Sequence, residues 1–186
     1  TKRDWRNRNK IKTSNGLIWL SVPVSVKGKY NQTIRETQIQ GADWVSKHLM
    51  SLKQNYAKSE FFSEIFPEVE RVINLDTNSM LSALNRNFIE FVCAYLGIET
   101  KVSNSWDYHL ADGKTERLVD ICKQASATEY VSGPAAKDYV DESLFTQEGI
   151  DVSWFDYSGY DPYPQLWGEF EHGVSVLDLL FNCGPN

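Results

Sequence analysis

The chain has 186 residues, 41% apolar and 13% aromatic with six tryptophans, enough to bury a real core within one domain. Its net charge of −6 excludes broad coating of nucleic acid, and no apolar run approaches the roughly 18 residues of a membrane span. Three widely spaced cysteines, Cys93, Cys122 and Cys183, support neither a disulfide framework nor a metal site, so a reducing cytoplasm is the expected setting.

The charge is uneven. Residues 1–12 carry Lys2, Arg3, Arg6, Arg8, Lys10 and Lys12 against Asp4, on an otherwise acidic body. A local basic stretch of this kind suits one anion. Within Lys2-Arg3-Asp4-Trp5-Arg6-Asn7-Arg8-Asn9, guanidinium forks suit phosphate or carboxylate, and the amides suit orientation. If the stretch is extended, Arg6 and Arg8 point one way and Asn7 and Asn9 the other. The plain alternative is a solvated basic tail.

Residues 17–24 are branched and aromatic and predict a strand, with Pro23 marking an edge or bulge. A second strand is expected over 33–40. From Asp43 the period changes to three or four residues, predicting a helix through Val45, Leu49, Leu52 and Tyr56. A further helical stripe runs from Phe62 to Ile73, broken or kinked near Pro67, and a third helix carries Leu81, Leu84, Phe88, Val92 and Tyr95. Trp44 and His48 lie one turn apart on the first helix, where His48 suits proton transfer or anion contact. A surface histidine without chemistry is the commoner case.

The second half alternates: strand 101–106, helix 115–125, strand 128–132, a helical stretch after Gly133-Pro134, strand 151–155 and a terminal helix from Ser175. Alternation predicts an α/β fold with a mainly parallel sheet, flanking helices and an inserted helical subdomain over about 43–96. A helix beginning at Pro134 after a parallel strand would offer free amides to an anion, with Gly133 making the turn and Lys137 adding charge. A merely well-made turn explains the same residues. Arg117, with Asp120 three residues on, is equally able to pair on the surface.

The C-terminal segment is the densest in special residue types: Tyr163-Pro-Gln-Leu-Trp-Gly-Glu-Phe170, then Ser175-Val-Leu-Asp-Leu-Leu-Phe-Asn-Cys-Gly184. Flanking prolines fix where Tyr163 points. Gln165 lies beside it, and Glu169 is a candidate general base if a cleft raises its pKa. Cys183 has no sequence-adjacent activating base and fits a small buried side chain better than a nucleophile. There is no Walker loop, GxGxxG, GxSxG, HExxH or EF-hand.

With the arginine-asparagine stretch, Trp44 and the Lys47-His48 pair, these C-terminal residues resemble the WbqC-like family of bacterial surface-polysaccharide gene neighbourhoods. The likeness covers residues 1–186 as one domain. Family members begin with a further strand, a Gln-Pro-Tyr-rich turn and a helix, so an N-terminally shortened chain is the expectation here.

What the resemblance implies is work in O-antigen or capsule biosynthesis, as a transferase acting on a nucleotide-activated or amino sugar. The expected partner is an anionic small molecule, either a sugar nucleotide or an acyl donor. In that scheme Arg6, Asn7, Arg8, Arg117, Gly133, Lys137, Tyr163 and Gln165 bind substrate, and His48 or Glu169 moves a proton. The alternatives are a nucleotidyltransferase-like enzyme and a non-catalytic partner in a polysaccharide assembly complex. A deep polar-lined pocket favours an enzyme; an exposed apolar patch without one favours the last alternative.

Overall fold

A computed structural model describes residues 5–29, 31–75 and 78–185. Lys2, Arg3 and Asp4 of the basic stretch lie outside them. The chain mixes helices and short strands and divides into two compact units. The larger comprises Thr1–Thr100 and Pro162–Asn186, and the smaller is Lys101–Asp161.

The larger unit opens with a 3-10 turn, Trp5–Asn7, followed by a β-hairpin of β1 (Arg8–Thr13) and β2 (Gly16–Ser21). The strands pair antiparallel from Arg8 opposite Ser21 to Thr13 opposite Gly16. Ser14 and Asn15 make the connection, and Gly16 sits at φ +101°, a conformation that favours glycine. Thr13 helps close the turn by donating from Oγ1 to the Gly16 carbonyl at 2.7 Å.

Three helices follow: α1 (Asp43–Tyr56), α2 (Phe62–Ile73) and α3 (Leu81–Tyr95). Helix α2 continues through Pro67, where a kink or break was expected. The apolar stripes of α1, α2 and α3 meet β1 and the terminal helix α6 (Val176–Cys183) in one core built on Ile11, Leu52, Tyr56, Ile65, Val69 and Phe181. Gly184 ends α6 at φ 68° and ψ −149°, and a Cβ there would lie 2.5 Å from the Phe61 ring. Only glycine satisfies both demands.

The smaller unit contains α4 (Thr115–Gln124), β3 (Glu129–Ser132), a 3-10 stretch (Pro134–Asp138), α5 (Glu142–Gln147) and β4 (Asp151–Trp154). Strands β3 and β4 pair in parallel, Glu129 opposite Asp151 through Ser132 opposite Trp154. Val119, Cys122, Phe145 and Ile150 form its core.

Among the described residues the two named sheets have two strands each, and one of them is antiparallel. The expected mainly parallel sheet is therefore represented only by β3–β4. Two of the expected strands fold otherwise, for local polar reasons. Over 33–40, Glu36 accepts from both the backbone amide and the hydroxyl of Thr33, producing a 3-10 turn with isolated bridge pairings at Gln38 and Ile39. Over 101–106, Asp107 accepts from the Asn104 amide at 2.9 Å and fixes a 3-10 turn, Ser105–Asp107. Such short side-chain bonds compete with strand pairing. No helix among the described residues is long and apolar enough to cross a membrane.

Candidate functional site

The hairpin, α1, α2, α3 and the start of α6 line an open cavity of about 460 Å³ in the larger unit. Its walls are apolar, including Leu52, Val69, Leu84, Phe88 and Val92. Arg6, Asn7, Arg8 and His48 line it as well. Four candidate residues from two separate stretches of the chain thus share one space. A cavity of this size and lining, with a few convergent polar groups, is the usual form of a small-molecule site.

Arg8 enters β1, and its guanidinium carbon lies 4.3 Å from the centre of the Trp19 ring on the neighbouring strand. Lys10 Nζ approaches the same ring at 5.3 Å. Stacking orients the guanidinium plane without consuming its N–H groups. The Arg8 Nε is buried and has no hydrogen-bond partner among the described residues. A buried donor left unsatisfied costs about 1–3 kcal/mol.

Asn7 has structural employment. Its side chain donates to the Val22 carbonyl at 3.0 Å, and its own carbonyl accepts from the Val22 amide at 2.7 Å, which closes the open end of the hairpin. Arg6 is exposed at the rim, where its carbonyl accepts from Asn85 of α3. The Trp5–Asn7 turn precedes the strand, so Arg6 and Arg8 do not belong to one continuous extended segment.

His48 is half-buried on α1 and packs edge-on against Trp44, ring centres 5.0 Å apart. Its Nε2 lies 3.2 Å from the Ser21 carbonyl. A carbonyl only accepts, so Nε2 carries the proton, and the neutral ring presents Nδ1 as an acceptor. Burial pushes the imidazole pKa below its usual value, a shift the Ser21 contact only partly opposes. Trp44 and His48 also line a second recess of about 420 Å³, together with Ser21, Gln40, Asp43 and Lys47. The imidazole therefore borders both spaces.

Tyr163 and Gln165 belong to a buried polar network beside the core. Asp178, fully buried, accepts from Tyr56 at 2.6 Å and from Tyr163 at 2.9 Å. Gln165 Nε2 donates to the Tyr163 hydroxyl at 3.0 Å, and Gln165 Oε1 accepts from Lys12 Nζ at 2.9 Å. Lys12 also donates to the Glu169 carbonyl. The Glu169 carboxylate itself is exposed. Burial, with the Asp178 carboxylate, raises the Tyr56 and Tyr163 pKa values and likewise holds Cys183 as a thiol.

Ser175 caps α6 with its side chain. Ser175 accepts from the Leu177 amide, while the Asp178 carboxylate is taken up by the two tyrosines.

Arg117, Gly133 and Lys137 lie in the smaller unit. Arg117 is exposed and its Nε reaches the Ala111 carbonyl at 3.5 Å. Gly133 has an ordinary negative φ of −74°, and its special feature is a close neighbour: a Cβ there would lie 3.1 Å from the Tyr157 hydroxyl. The helix after it is a five-residue 3-10 stretch, too short to sum the dipole of a full α-helix. Lys137 is exposed, with Nζ 5.6 Å from the Trp154 ring centre.

Trp19, Asn85 and Cys93, all near or lining the cavity, escaped the sequence reasoning. Asn85 follows Leu84 on the apolar stripe of α3, and that position was the available signal. Among the described residues no group of three or more His, Cys, Asp and Glu side chains gathers as a metal site.

The model of the WbqC-like protein family matches residues 1–186. An uncharacterized protein of Mycobacterium tuberculosis, Rv1507c, is 56% identical over 184 residues, spanning 99% of this chain and 80% of the relative. No solved structure matches significantly.

Proposed function

This chain belongs to the WbqC-like protein family, and on that premise we propose a transferase of bacterial surface-polysaccharide biosynthesis acting on a nucleotide-activated or amino sugar. The observation that carries the proposal is the shared cavity of Arg6, Asn7, Arg8 and His48. Arg6 and Arg8 neutralise an oxyanion of the activated substrate. His48, neutral and with Nδ1 available, takes the proton.

For transfer of an acyl group to an amino sugar, the amine nitrogen attacks the acyl carbonyl carbon. A C–N bond forms, the bond to the leaving group breaks, and the ammonium proton passes to Nδ1 and then to the leaving group. His48 is a better placed base than Glu169, because His48 borders both spaces while the Glu169 carboxylate is exposed.

Thermal denaturation with UDP-activated amino sugars tests the proposal. Ligand at about 100 times its Kd should raise Tm by roughly 5–10 °C. The shift should largely disappear in Arg8→Gln. No shift with any anionic sugar nucleotide contradicts the proposal.

A further inference from the structure

The depth of the cavity is unsuited to a sugar or a phosphate. Below the Arg6–Asn9 rim its lining is Ile11, Leu52, Val69, Leu84, Phe88 and Val92. Burying a hydroxylated ring there would strip its hydrogen bonds without replacement. An apolar chain loses nothing and gains by leaving water. Among the described residues lining it, Arg8 has a buried Nε that lacks an acceptor.

We propose that this cavity binds a medium-length acyl chain, with the methylene tail against α1, α2 and α3 and a carboxyl-derived oxygen on Arg8 Nε. The inference rests on the transferase reading and names its donor: the group carried is an acyl chain longer than acetyl. Charge complementarity selects this occupant over a neutral lipid, because Arg6 and Arg8 line the space and no carboxylate does. His48 borders the same space.

Calorimetric titration of the full chain with saturated carboxylates from butanoate to dodecanoate tests the inference, run beside a UDP-activated amino sugar. Affinity should rise about fourfold per added methylene until the cavity is full. The matching primary alcohols, which lack the anionic oxygen, should bind at least tenfold more weakly. Ile89→Trp, a half-exposed position on the cavity wall, should abolish the length dependence while leaving the melting transition cooperative.

Absence of any length dependence in the unsubstituted protein overturns the inference, and the sugar arm then shows separately whether the transferase reading survives. Length-dependent binding without sugar binding sustains the acyl site and removes the sugar. A second copy of the chain as occupant would appear in light scattering as a dimer that carboxylates do not dissociate, and that outcome also overturns the inference.

Discussion

Replacing Asp178 by alanine is expected to destabilise the larger unit by about 3–5 kcal/mol, the range for removing one partner from a buried charged network. The carboxylate is fully buried and accepts from Tyr56 and Tyr163, which reach it from α1 and from the segment before α6. Tyr56 also accepts from the Lys12 amide of β1 at 3.0 Å. Truncation leaves two phenolic donors without their acceptor in the interior, and it removes the group that joins three parts of the chain. A drop in Tm of roughly 6–20 °C follows for a chain of this length. Tyr163→Phe removes only one of these donors and should cost about 1 kcal/mol. A Tm for Asp178→Ala within a degree or two of the parent would show that the network carries little of the stability.

The second large effect concerns rate. With the acyl and amino-sugar substrates in hand, His48→Gln should lower kcat by about 10²–10⁴-fold, the usual loss when a positioned base is removed. The pH dependence supplies a check that a structural role would not reproduce. Burial lowers the imidazole pKa, so the free-base form persists below the usual value near 6.5. The rate of the parent should therefore fall on the acid side with an apparent pKa below 6.5, and His48→Gln should lose that limb.

Stability follows the same sign. The folded state resists protonation of His48, so its contribution is present above the unfolded pKa and is lost as pH falls through that value toward the lower folded one. A pH–rate profile unchanged by the substitution would remove His48 from the chemistry.

Most of the helices were legible because their periodicity is strong. Val45, Leu49, Leu52 and Tyr56 specify a face that the core of the larger unit uses. The hairpin was less visible because Arg8–Thr13 contains one large apolar side chain, Ile11, among basic and polar residues. Its turn signal was nevertheless present in Asn15-Gly16, a pair suited to tight hairpins.

Asp178 lies three residues after Ser175, a spacing that by itself suits a cap. Leu177, Leu180 and Phe181 place its side of the helix against the core, so a buried carboxylate was inferable from the same seven residues. The cavity was not inferable. Leu84, Phe88 and Val92 have the spacing of core residues whether the space they face is filled or empty, and only packing decides. Arg6, Asn7, Arg8 and His48 were named as candidates from charge, spacing and resemblance, and they line one cavity, although nothing in that spacing brings the hairpin to α1.

Chemical protection of Cys93 tests the central claim most directly, because this thiol lines the cavity while Cys183 does not. Peptide-resolved alkylation should slow several-fold at Cys93 when a UDP-activated amino sugar or decanoate saturates the protein, with the Cys183 rate unchanged. Saturating ligand that leaves Cys93 reacting at its original rate would place binding elsewhere and contradict the assignment of this cavity.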